Sequence, residues 1–141
     1  MHIFLSGLSG WVVALLLPLT IALALSRGRT TQLGIGRFRF QPPMGLHYRL
    51  GFAIAALAFA HALIATGSGL ALRAGTAGIY LATGALALVF VQLFLGLLLR
   101  EPSLRRRPTV RRQHLWIMIG LVALALGHIA LNSALLHRLF G

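Results

Sequence analysis

The residues able to do chemistry in this chain are few, and they are histidines. The 141 residues include six: His2, His47, His61, His114, His128 and His137. There is no cysteine and a single acid, Glu101. This excludes disulfides, thiolate-bound zinc and cysteine-held iron–sulfur clusters, and leaves imidazole as the one strong transition-metal ligand, with methionine a weak second. His47 and His61 are fourteen residues apart, and so are His114 and His128. Fourteen residues is close to four helical turns, so each pair lies on one face of its helix, about 21 Å apart along the axis. If the two helices run in the same direction, His47 meets His114 at one depth and His61 meets His128 at another. Each meeting could give one iron two axial ligands, the requirement of a six-coordinate b-type haem, repeated twice.

The elements that must position these residues are membrane helices. Hydrophobic residues make up 58% of the chain and charged residues 10%, whereas a soluble domain has about 25% charged residues. The apolar residues come in runs of about 20, the length that crosses a bilayer. Four such runs predict an all-α, transmembrane four-helix bundle forming one domain over 1–141, with helices at about 3–25, 46–66, 77–99 and 110–136. Pro18 predicts a kink in the first, and Pro43 is placed to open the second. The first run lacks a basic start and is long for a signal sequence, so it reads as a retained helix.

The net charge is +12, and all 13 basic residues are arginine. The arginines fall between apolar runs, so they read as topology signals and lipid-headgroup contacts rather than a nucleic-acid surface. The loop between helices 1 and 2 carries Arg27, Arg29, Arg37 and Arg39, with Arg49 just inside the next helix. The loop between helices 3 and 4 carries Arg100, Arg105, Arg106, Arg107, Arg111 and Arg112. The loop between helices 2 and 3 has only Arg73, and the C-terminal tail only Arg138. Arginine marks the cytoplasmic side. Both termini are therefore expected outside and both Arg-rich loops inside, in a bacterial-type inner (cytoplasmic) membrane. Helices 2 and 4 then run the same way, as the paired histidines require.

A haem also needs room and countercharge. The histidine face of helix 2 holds Gly51, Ile54 and Ala58, and that of helix 4 holds Met118, Leu121 and Ala125; small residues there would let a porphyrin edge, or simply another helix, approach. Arg49, Arg111 and Arg112 would lie near the propionates of an inner haem, and Arg73 and Arg138 near those of an outer one. The plainer reading of these arginines is lipid anchoring. The plainer reading of the histidines is hydrogen bonding between helices, but two equal intervals on co-directional helices favour ligation. His2 and His137 lie near the termini and read as interfacial; His137 could assist a quinone or accept a proton. Gln92 and Asn132 read as interhelical hydrogen-bond formers.

The stretch H-Y-R-L-G-F-A-I-A-A-L-A-F-A-H from His47 to His61 resembles the haem-binding helix of the ferric reductase and NADPH oxidase transmembrane family. The stretch R-R-Q-H-L-W-I-M-I-G-L-V-A-L-A-L-G-H from Arg111 to His128 resembles its second. The intervals are also similar to those of the respiratory cytochrome b subunit. The resemblance spans about 44–132 and implies two haem b groups, His47 and His114 on the inner iron and His61 and His128 on the outer. The chain departs from full-length family members in having four helices rather than six and no Gly-rich dinucleotide fingerprint, so electrons would come from a redox partner protein or from quinol. Three functions follow as expectations: a membrane electron conduit; an accessory or assembly subunit of a larger respiratory or photosynthetic membrane complex; or a quinol-oxidising or metal-reducing enzyme using the same haems. A metal-ion transporter is the weakest, since no acid lies in a membrane helix.

Overall fold

The structure is a computed structural model that describes residues 2–29, 44–69, 75–101 and 103–132, with side chains for 7–25, 45–69, 75–101 and 103–132. It is all-helical among those residues: α1 (His2–Arg29), α2 (Met44–Gly67), α3 (Thr76–Leu98) and α4 (Arg107–Asn132). Each is long and apolar enough to cross a bilayer. The expected helices agree to within a few residues at most ends. The expected end of helix 4 at 136 lies outside the described residues, as do Pro43, Arg37, Arg39, Arg73, His137 and Arg138. The side chains of His2, Arg27 and Arg29 lie outside them too. α1 stays helical through Pro18. α4 begins three residues before the expected 110, so Arg107 joins Arg111 and Arg112 in its first turns. Pro108 explains the early start, because a proline in the first turn forfeits no helical hydrogen bond.

The helix ends are closed locally. After α2, the amides of Ser68 and Gly69 bond the carbonyls of Ile64 and Thr66, and Gly69 takes the left-handed conformation (φ 71°) that suits glycine. At the end of α3 the Arg107 guanidinium donates to the Leu99 carbonyl at 2.8 Å. The Arg100 guanidinium lies 5.3 Å from the centre of the Tyr48 ring. That cation–π contact brings the Arg-rich α3–α4 connection to the start of α2. Glu101 in the same connection accepts from the Ser103 hydroxyl at 2.7 Å and from its amide at 3.4 Å. These bonds favour the charged form and hold the carboxyl below its ordinary range.

The closest helix pair is α3 with α4, followed by α1 with α2 and then α2 with α3. Glycine explains the first. A Cβ on Gly84 of α3 would sit 3.2 Å from Leu124 of α4; one on Gly127 of α4 would sit 3.2 Å from Leu81 of α3; one on Gly120 would sit 3.4 Å from Leu88. Each glycine receives a leucine from the facing helix, which is how membrane helices pack closely. α2 and α4 are not a closely packed pair. They approach within the apolar core, where Ala55 of α2, Val89 of α3 and Leu121 of α4 cluster, with Leu17 of α1 against them. Outside that small core the apolar side chains point outward: Leu15 is 68% exposed, Tyr80 74% and Trp116 64%. Such a surface suits contact with lipid and is far larger than the apolar patches a soluble monomer exposes.

Candidate metal centres

The four histidines on α2 and α4 come together in two pairs. The rings of His47 and His114 have centroids 6.4 Å apart with planes at 66°, and those of His61 and His128 are 6.5 Å apart at 77°. Each N-terminal histidine meets the other N-terminal histidine, and each C-terminal one its counterpart, so α2 and α4 run in the same direction. The apolar cluster of Ala55, Val89 and Leu121 falls between the two levels in sequence on both helices, which places it between the pairs in depth.

The spacing within each pair is informative. With an imidazole ring radius of about 1.2 Å, the nearest atoms of two such rings are about 4 Å apart, beyond hydrogen-bond reach. The rings face each other without bonding each other. An iron held by two bonds of about 2 Å, typical of metal–imidazole distances, spans that same gap. The donor set also fits: two neutral imidazoles and no charged ligand is what a bis-histidine haem uses. No group of three or more His, Cys, Asp or Glu side chains that could hold a metal ion occurs among the described residues.

The nitrogen facing away from a metal must itself be held, since a ligating histidine usually gives its other N–H to a carbonyl, carboxylate or hydroxyl. His47 Nδ1 is 3.3 Å from the Thr20 carbonyl oxygen of α1, and His128 Nδ1 is 3.1 Å from the Gly78 carbonyl oxygen of α3. A carbonyl only accepts, so each Nδ1 carries the hydrogen and each Nε2 presents a lone pair. His61 Nδ1 is 3.1 Å from the Ser9 hydroxyl of α1. The amide of Asn132 donates to the His128 carbonyl at 3.0 Å and lies 3.2 Å from the same ring. Glycine again permits the approach: Gly10 faces His61, where a Cβ would be 3.1 Å from Cε1, and a Cβ on Gly78 would collide with the Asn132 amide.

His114 differs. Its Nε2 is 3.1 Å from the Gln92 amide nitrogen of α3. Its Nδ1 and the Gln92 amide oxygen are buried without a hydrogen-bond partner among the described residues.

Of the other residues singled out by sequence, Arg49, Arg111 and Arg112 are exposed at the end of the bundle that holds His47 and His114. Gly51 is half-buried, and a Cβ there would meet nothing within 4 Å. Leu121 of the α4 histidine face is a core residue at 4% exposure, and Ile54 of the α2 face is buried. Sequence reasoning left out Ser9, Gly10, Thr20 and Gly78. One signal was available. Gly78 and Gln92 are fourteen residues apart, the same interval as each histidine pair, and α3 presents one to His128 and the other to His114.

No protein-family model matches the chain, and neither a curated protein nor a solved structure matches it. The four-helix, membrane-spanning architecture and the paired imidazoles therefore stand on the chain's own residues.

Proposed function

We propose that the chain is a b-type membrane cytochrome, holding one haem b between His47 and His114 and a second between His61 and His128, and passing electrons between the two sides of a bacterial-type inner membrane. The observation that carries this reading is the pair of ring separations, near 6.4 Å at two depths of the same two helices. Interhelical hydrogen bonding is the competing role for intramembrane histidines. It accounts for one ring nitrogen of each of the four, against Thr20, Ser9, Gln92 and Gly78. It does not account for rings that face one another across a gap too wide to bond.

When bound, a haem iron supplies a one-electron redox centre whose potential follows from its ligands, burial and local charge. The protein's part is to hold and orient. α2 and α4 supply imidazoles, the Thr20 and Gly78 carbonyls of α1 and α3 take the Nδ1 hydrogens of His47 and His128, and the Ser9 hydroxyl of α1 meets Nδ1 of His61. The arginines at the His47–His114 end supply positive charge there, suited to propionates and to an acidic redox partner. That end would face the cytoplasm, with both termini on the outer side. Electrons would enter from a partner protein or quinol.

The test is a reduced-minus-oxidised spectrum with haem quantitation on protein expressed with ample haem. Two bis-imidazole haems per chain are expected, falling to one in His47→Ala or His114→Ala and to one in His61→Ala or His128→Ala. A folded chain that purifies without haem would end this reading.

A further inference from the structure

The chain carries 13 arginines against one side-chain acid, Glu101, and that acid is engaged by Ser103. Most of the arginines' countercharge must therefore come from another molecule. Arg105, Arg106, Arg107, Arg111 and Arg112 are all exposed around the start of α4, whose first turn holds no acid. Arg107 is turned back to the Leu99 carbonyl. Arg112 differs from its neighbours because it heads a stripe. Trp116, Ile119, Ala123, Leu126 and Ala130 follow it at alternating intervals of four and three, and all are exposed. That alternation keeps to one face of a helix. Trp116 is 64% exposed and Ile119 46%. At 1.5 Å per residue, Ala123 lies about 16 Å beyond Arg112 along the axis. That is close to the depth of one leaflet in a hydrocarbon core of about 30 Å.

We propose that this end of α4 binds one acidic phospholipid, its headgroup phosphate held by Arg111 and Arg112 and an acyl chain lying along Trp116, Ile119 and Ala123. A guanidinium offers paired N–H groups that match two phosphate oxygens, and arginines just beyond a membrane helix gather anionic headgroups. Trp116 sits one turn below them, at the level where tryptophan meets the headgroup boundary. Ala123, between Ile119 and Leu126, leaves a shallow place for hydrocarbon. No acid on α4 can meet the ammonium of a zwitterionic headgroup, so the site favours a lipid with net negative charge. A second copy of the chain fits less well. Two copies apposed along the stripe in the same orientation set Arg112 against Arg112, with no acid to relieve the repulsion. An acidic protein answers the arginines but not the apolar stripe that continues from them; a phospholipid answers both. The assignment needs α4 to lie in a bilayer and is independent of the haem reading.

The experiment is native mass spectrometry of the full chain in detergent, titrated with phosphatidylglycerol and phosphatidylcholine of the same acyl chains. One phosphatidylglycerol is expected to bind in preference to phosphatidylcholine. Arg111→Gln with Arg112→Gln is expected to weaken it by about thirtyfold, the worth of two arginines beside anionic lipid. Arg105→Gln with Arg106→Gln removes the same charge away from the stripe and is expected to weaken it by less than about threefold. Arg111→Lys with Arg112→Lys keeps the charge and should retain the preference, which separates loss of the site from loss of the fold. In a bilayer with about one such lipid per chain, a phosphatidylglycerol carrying a diazirine on one acyl chain should crosslink within residues 116–123. The assignment is overturned if the two lipids bind alike, which leaves the arginines to an acidic protein, or if the two glutamine pairs weaken binding equally, which leaves only a diffuse field. Crosslinks confined to other helices overturn it as well. Inorganic phosphate at matched ionic strength should not displace the lipid; displacement would make this a site for the free ion. Disulfide-linked dimers of Ala123→Cys in a bilayer would give the stripe to a second copy and overturn the assignment too.

Discussion

Gly78 carries two duties that no other residue type could combine. Its carbonyl accepts from His128, and its missing side chain makes room for Asn132, which bonds the His128 carbonyl. Gly78→Ala forces the Asn132 amide aside. The expected cost is about 1–3 kcal/mol of overpacking, read as a lower thermal midpoint, and, under the proposed function, loss or perturbation of the haem at the His61–His128 site with little change at the other. Glu101 offers a test outside the membrane helices. Its carboxyl is held low by the Ser103 hydroxyl, so the bond stabilises the connection at pH above the ordinary carboxylate range and is lost as the pH falls through the lowered value. In Ser103→Ala, an NMR titration of Glu101 should show the midpoint moving up. The four histidines were legible because imidazole in an apolar helix is rare and the interval repeats. Gly78 and Thr20 were not, because what they supply is a main-chain carbonyl, which every residue has and no sequence advertises.

Among the helices, α1 and α3 do not carry the imidazoles but decide how they point. α1 sets Ser9 and Thr20 on one face, eleven residues or about three turns apart, against His61 and His47. α3 does the same for α4 with Gly78 and Gln92. Close packing of α3 on α4 is what keeps those contacts within hydrogen-bond distance, and the glycine–leucine exchanges are what permit it. Gly127→Val is therefore expected to push Leu81 away and part the two helices, lowering stability by about 1–3 kcal/mol, whereas Gly127→Ala should be milder, because it meets only the tip of a leucine. Denaturation in detergent compares the two; equal and negligible effects would remove glycine from this account. The helices themselves were readable from apolar runs of bilayer length. Their partners were not. Each helix is apolar on most faces, so periodicity marks no buried side, and the glycines that define the α3–α4 contact look like ordinary membrane small residues.

Taken as one body, the chain presents apolar side chains outward and gathers arginines at one end. The orientation drawn from those arginines can be checked directly, because the chain has no cysteine to interfere. Ser103→Cys sits in the α3–α4 connection and Ser68→Cys just past α2. With an impermeant thiol reagent on intact cells, Ser68→Cys should react and Ser103→Cys should react only after the membrane is opened. The reverse pattern would invert the topology without touching the paired rings. The arginine pattern is legible in sequence because it is a property of composition along the chain. The seat of the interior core is not, since it depends on which of many similar leucines and alanines happen to face one another.

Ala55, Val89 and Leu121 meet between the two histidine levels with no group that could hold a water molecule. A proton relay needs such groups in succession. Electrons can tunnel past hydrocarbon; hydronium and small cations cannot. A vesicle studded with this protein should keep an imposed pH difference as long as a bare one does, as followed by an entrapped dye. The bundle would then work as a wire inside an insulator, moving electrons while holding back protons and cations.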